Sequence, residues 1–144
     1  MSIEEMVAET KKTKPLALEF PSKPEKINEV ETFVSNIQNL FKFRDELFGN
    51  ILVSITEAVN NAIFHGNKSD SNKQVAIRFL KNNGHLEFLI ADEGNGFDYK
   101  NIPDPTSPEN IEKPTGRGVF LMRNLADHCE FLNNGNTVKL KFKI

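Results

Sequence analysis

Tryptophan is absent from these 144 residues, and cysteine and tyrosine occur once each. With Cys129 as its one thiol, the chain has no internal disulfide and no second cysteine for a thiolate metal site. A single thiol fits a reducing compartment, and the expected location is the cytoplasm. An excess of one charge is missing too: 18 basic residues face 20 acidic ones, for a formal net charge of -2. No global basic field exists to hold DNA or RNA by its phosphates, so a direct nucleic-acid partner is not expected. No apolar run approaches the roughly 20 residues of a membrane span. Residues 1 to 14, with Glu4, Glu5 and Glu9, lack the apolar stretch of a signal peptide. No membrane association is expected.

What is present suits a soluble globule. Hydrophobic residues make up 38% and charged residues 26%, and twelve phenylalanines point to a Phe-rich core. The length has room for one domain around a single core. Residues 1–15 read as a polar N-terminal tail and 16–144 as the domain.

Leu16 to Phe20 is a short strand candidate stopped by Pro21, and Ser22 with Glu25 forms the S-x-x-E pattern of a helix start. The helix predicted after it, to about Phe41, carries Ile27, Val30, Val34, Ile37 and Phe41 at spacings of three and four. A second helix is predicted from about Asp45 to Phe64, ending near Gly66. Val75, Ile77 and Phe79 alternate with polar residues, Asn82-Asn83-Gly84 supplies a turn, and Leu86, Phe88 and Ile90 alternate again, which describes a hairpin. From Phe97 to Thr115 no period survives, and Pro103, Pro105, Pro108 and Pro114 prevent regular structure. Loops of this length are usually lids or disordered segments. Val119 to His128 returns to helix, and strands near Cys129–Leu132 and Thr137–Ile144 are joined by a turn at Asn133–Asn136. The order β-α-α-β-β-lid-α-β-β predicts a two-layer α/β sandwich, with a mixed, mainly antiparallel sheet covered by helices on one face.

On the second helix Glu57, Asn61 and His65 are four apart, each about 40° round from the last, so they share a polar face that Asn50 and Ser54 extend. A solvated face is one reading. Asn60 and Asn61, however, are poor mid-helix residues. The other reading is a metal and proton-transfer site. A carboxamide oxygen suits Mg²⁺, which shares its sphere with water and nucleotide phosphates. Glu57, one turn earlier, could take a proton from a hydroxyl attacking a terminal phosphate. His65 is expected to cap or pack near the helix end.

Two glycine loops follow. Asp92-Glu93-Gly94-Asn95-Gly96 comes directly after a strand; it is either a tight turn or a base-binding loop in which Asp92 accepts the exocyclic amine of adenine. Thr115-Gly116-Arg117-Gly118 precedes a helix, as a hinge or as an open phosphate cradle of unpaired amides. Arg117 either reaches a phosphate or projects into solvent. There is no P-loop, dinucleotide fingerprint or G-x-S-x-G elbow, and His65, His85 and His128 lack metal-ligand spacing.

The string Glu57-Ala58-Val59-Asn60-Asn61-Ala62-Ile63-Phe64-His65-Gly66 resembles the N-box of the GHKL (Bergerat-fold) ATPases in the form typical of anti-sigma-factor serine kinases. Asp92 to Gly96 is similar to their G1 box, Thr115 to Gly118 to their G2 box, and Gly135-Asn136-Thr137 to their closing G-T-T segment. The resemblance runs in family order over residues 16 to 144. It implies Glu57 as general base and Asn61 as Mg²⁺ ligand. Asp92 would read adenine, Gly94, Gly96, Gly116 and Gly118 would shape an ATP pocket, and Thr137 would support its adenine side. Residues 97–115 would be the ATP lid. Such proteins bind a sigma factor, phosphorylate a serine on a STAS-domain anti-anti-sigma protein, and commonly form homodimers. A nucleotide-gated binding module without kinase activity is the alternative. Two departures stand out: Asn136 replaces the first threonine of the closing segment, and Lys26 to Val34 lacks the partner-recognition arginine of sporulation relatives, which leaves partner identity open.

Overall fold

The computed structural model describes residue 3, residues 16–101 and residues 116–144. The expected tail, apart from residue 3, and residues 102–115 of the expected lid lie outside the described residues. Strand β1 (Leu16–Pro21) leads through a 3-10 turn (Pro24–Lys26) into helix α1 (Ile27–Phe41). Helix α2 (Asp45–Asn60) follows and continues as a π-helical turn (Asn61–Gly66). Next come β2 (Gln74–Asn82), β3 (His85–Ala91) and a 3-10 turn at Tyr99–Asn101. After residues 102–115 come α3 (Arg117–Leu125), β4 (His128–Leu132), a 3-10 turn (Asn133–Gly135) and β5 (Thr137–Lys143).

The strands form one sheet in the order β1-β2-β3-β5-β4. Its pairings are all antiparallel among the described residues, where a mixed, mainly antiparallel sheet was the expectation. Connectivity explains this. With two helices between β1 and β2 the chain reverses three times, so β2 returns antiparallel to β1. The single helix between β3 and β4 would make those strands parallel neighbours, but β5 inserts between them and pairs antiparallel with both. In the β2–β3 hairpin Asn82 pairs with His85, so Asn83 and Gly84 form the loop, both at positive φ as an Asn-Gly turn requires.

Alternation puts Val75, Ile77, Phe79, Leu86, Phe88, Ile90, Val138, Leu140 and Phe142 on the buried face. They form one cluster with Val30, Val34 and Ile37 of α1, with Leu47, Ile51, Ile55 and Val59 of α2, and with Val119 and Met122 of α3. The Phe-rich core appears as a run of rings, Phe41–Phe79–Phe88–Phe142, with successive centroids 5.1, 5.0 and 6.1 Å apart. By length and composition alone the helical stretch Asp45–Gly66 could cross a membrane, contrary to the reading that no such run exists. Its apolar stripe is instead buried in this core, which accounts for its composition.

Three local expectations change. Ser22 caps no helix: it is 2% exposed and donates from Oγ to the Lys73 carbonyl at 2.7 Å. Pro24 opens the 3-10 turn instead, where a missing N–H costs nothing. Ser54 is buried rather than on the polar face, its hydroxyl satisfied by the Asn50 carbonyl of its own helix at 2.8 Å. Helix α3 starts two residues earlier than predicted, directly after Gly116, and stops at Leu125 because the chain from His128 onward pairs with β5.

Candidate nucleotide-binding site

A cavity of about 410 Å³ opens where α2 and its π turn, the ends of β3 and β5, and the start of α3 meet. Asn61, Ala62, His65 and Gly66 contribute from the helix, Ile90 and Val138 from the sheet, Asp92 from the loop after β3, and Gly118, Val119 and Met122 from α3 with Gly116 just before it. An apolar floor with a few convergent polar groups is the usual character of a small-molecule site. His65 is exposed and lines the cavity, where packing or capping at the helix end had been expected.

The π turn shapes the helix wall. Asn67 N–H donates to the Ala62 carbonyl at 2.8 Å, five residues back. That wider turn brings Gly66 against Asp92, so closely that a Cβ on Gly66 would overlap the Asp92 carboxylate. Gly94 is equally constrained, because a Cβ there would meet the Gly66 carbonyl. Glycine at both positions lets helix end and loop close on each other.

Asp92 is held on two sides. Its amide donates to the Asn136 carbonyl at 2.9 Å, and its Oδ1 accepts the Gly94 amide at 2.7 Å. Burial pushes its carboxyl above the ordinary value, an effect the Gly94 amide and the charge of Lys73 partly offset. An acceptor kept in a half-dry pocket and aimed by two bonds is suited to one directed hydrogen bond.

At the start of α3, Gly116 is left-handed with φ 88°, and the first amides of the helix have no intrahelical partners. A Cβ on Gly118 would lie 2.9 Å from Glu57 Oε2 and 3.2 Å from Asn61 Nδ2. The base candidate, the carboxamide and an anion-attracting helix end therefore abut. The Asn61 carboxamide oxygen is a hard neutral donor that fits Mg²⁺ when water and phosphate oxygens complete the sphere.

Of the residues singled out from sequence, Asn61, Asp92, Gly96, Gly116 and Gly118 line the cavity. Glu57, Gly94, Arg117 and Thr137 do not, although Glu57 and Gly94 stand directly behind those that do. Arg117 is exposed. Thr137 acts at one remove, donating from Oγ1 to Asn136 Oδ1 at 2.9 Å. Asn136 itself, which read as a departure from the closing segment, is on the wall: its carbonyl holds Asp92, and its Nδ2 donates to the Gly94 carbonyl at 3.2 Å. Phe97 and Phe131 also line the cavity, and their centroids are 5.2 Å apart. Tyr99 stacks on Phe131, and Arg123 lies over the same ring while donating to the Tyr99 carbonyl at 3.2 Å. Nothing local in the sequence marks this corner, because its members come from three separate elements.

An antiparallel α/β sandwich with this cavity between helix and sheet defines a nucleotide-binding domain of the histidine kinase-like ATPase type. The model of the family described as "Histidine kinase-like ATPase domain" matches residues 20–142, and the chain belongs to that family. It is similar to curated proteins named serine-protein kinase RsbW. That of Oceanobacillus iheyensis is 29% identical over 82% of this chain and 78% of its own length. That of Bacillus subtilis is 26% identical over 87% of this chain and 82% of its own length. A solved structure of the RsbU and RsbW domains of a Mycobacterium tuberculosis protein superposes with a TM-score of 0.66 at 16% identity, over 91% of this chain and 32% of that one. That likeness shows the fold.

Proposed function

We propose that the chain is a cytoplasmic ATP-dependent serine-protein kinase and anti-sigma factor, working in a partner switch with a STAS-domain anti-anti-sigma protein and acting as a homodimer. The observation that carries this reading is the convergence of Glu57 and Asn61 on Gly118 at the amide end of α3, beside a cavity that also presents Asp92. The name shared by the RsbW relatives supports the activity.

In this reading Asp92 accepts a hydrogen bond from the exocyclic amine of adenine, and Gly96 and Gly135 let the backbone pass close to the base. The free amides of α3 hold phosphate oxygens. Asn61 Oδ1 would hold Mg²⁺, which when bound neutralises charge on the phosphates. Glu57 takes the proton from the attacking serine hydroxyl onto a carboxylate oxygen.

The test is a calorimetric titration with Mg-ATP, followed by radiolabel transfer onto STAS-domain proteins of the source organism. Saturable binding with transfer to one serine is the expected result. Binding without transfer replaces the kinase with a nucleotide-gated module, and no binding removes both. Asn61→Ala is expected to weaken Mg-ATP binding by about tenfold or more while metal-free ATP binding changes little. Undiminished Mg²⁺-dependent affinity would remove Asn61 as ligand.

Asp92 links pH to both binding and stability. Adenine's amine needs the ionised carboxylate, so ATP affinity is expected to fall as pH drops through the raised Asp92 value, in a window above the ordinary 3.8. Stability runs the other way. The folded chain holds this proton more tightly than the unfolded one, so its contribution is full below 3.8 and is lost as pH rises through the raised value. Asp92→Asn keeps an oxygen for the Gly94 amide and has no proton to lose. It is expected to melt at a higher temperature than the parent at pH 7 while losing preference for ATP over GTP. Scanning calorimetry and a competition titration check the two halves, and a lower melting temperature contradicts the first.

A further inference from the structure

Asn67 follows the π turn directly and is 1% exposed. Its Nδ2 donates to Ser22 Oγ at 2.7 Å and to the Gln74 carbonyl at 2.9 Å, and its Oδ1 accepts the Glu93 amide at 2.8 Å. One carboxamide thus joins the end of β1, the start of β2 and the peptide after Asp92. Ser22 donates onward to the Lys73 carbonyl, and the Glu93 carboxylate accepts the Gln74 amide, which closes the network on itself. A network centred on two buried side chains, Asn67 and Ser22, whose polar atoms are all satisfied imposes one arrangement on the segments it joins.

That arrangement sets Asp92. Three successive amides are fixed here: Asp92 N–H on the Asn136 carbonyl, Glu93 N–H on Asn67, and Gly94 N–H on the Asp92 carboxylate itself. Gly66, the residue before Asn67, packs against the same carboxylate. A regular α-helical end would turn residues 66 and 67 by up to about 100° and break this register. Asn67 is absent from the cavity wall, so whatever it does for a ligand it does through Asp92.

We propose that Asn67 is a positioning residue for adenine recognition, locking the Asp92–Glu93 peptide so that the carboxylate faces the base. This rests on the reading of Asp92 given above. Inosine triphosphate carries an oxygen in place of adenine's exocyclic amine and a proton on N1, so the ratio of ATP to ITP affinity reads the base edge that Asp92 faces.

The experiment titrates the full chain and its variants with ATP and ITP by calorimetry. The parent is expected to prefer ATP. Asn67→Ala is expected to lose about tenfold in ATP affinity with little change for ITP, as for the loss of one well-aimed hydrogen bond. Adding Asp92→Asn to Asn67→Ala should cost little more, because both act on one contact. Asn67→Gln keeps the carboxamide but displaces it by a methylene, and it decides the matter if Asn67→Ala does not fold. A folded variant that retains the parent ATP-to-ITP ratio overturns the proposal, whatever its melting temperature, and so do fully additive losses. A parent that binds both nucleotides alike removes the Asp92 reading itself, a failure seen before any Asn67 variant is measured.

Discussion

Replacing Glu57 by glutamine is expected to leave Mg-ATP binding within a few-fold of the parent and to lower phosphotransfer by about two to four orders of magnitude, the usual contribution of a positioned general base. The reason lies in where Glu57 stands. It does not line the cavity that holds Asp92, so nucleotide affinity does not depend on it directly. Its Oε2 lies beside Gly118, at the amide end of α3 where a terminal phosphate would sit. Glutamine has the same shape and keeps an oxygen there, but it cannot accept a proton. Single-turnover transfer onto the serine substrate, with calorimetry on the same preparation, separates the two quantities. Transfer at the parent rate would eliminate Glu57 as the base, and loss of ATP binding would give it a structural role instead.

Gly96→Ala is expected to destabilise the domain by roughly 2–4 kcal/mol and to lower ATP affinity with it. Gly96 has φ 86°, where an alanine is strained by about 1 kcal/mol or more. Space is the larger problem. A Cβ there would run into the backbone carbonyl of Asn134, and a backbone group cannot swing aside as a side chain can. Relief requires the two loops to part, which breaks the bond from Phe97 N–H to the Asn134 carbonyl at 2.9 Å. The same interlock is tight from the other side: a Cβ on Gly135 would come within 2.9 Å of Phe97 atoms. Both glycines line the cavity, so parting the loops also deforms the proposed adenine wall. Urea unfolding and an ATP titration check the two effects. A variant as stable as the parent would mean that the clasp is looser than its geometry.

Much of this was legible in the residues. Alternation at Val75–Phe79 and Leu86–Ile90 marks a hairpin because a half-buried strand admits few other patterns, and Asn83-Gly84 names its turn. The stripes of α1 and α2 were visible for the same reason. The positions of Asn61, Asp92, Gly96, Gly116 and Gly118 were legible as motifs, and the fold gathers them around one cavity. Ser22 misled because S-x-x-E is a local signal, while its hydroxyl is engaged by Lys73 and Asn67, 51 and 45 residues away. Asn136 read only as a departure from the closing segment because the bond that holds Asp92 comes from its backbone carbonyl, which no residue type announces.

By itself the sequence determined the elements, their buried faces and the places where the backbone must turn or pass closely, since period, side-chain shape and glycine act over a few residues. Tertiary structure alone decided the rest: the insertion of β5 between β3 and β4, the π turn at Asn61–Gly66, and the setting of Asp92 by Asn67 and Asn136. Each depends on hydrogen bonds between segments far apart in the chain, and such bonds acquire partners only once the core has brought those segments together.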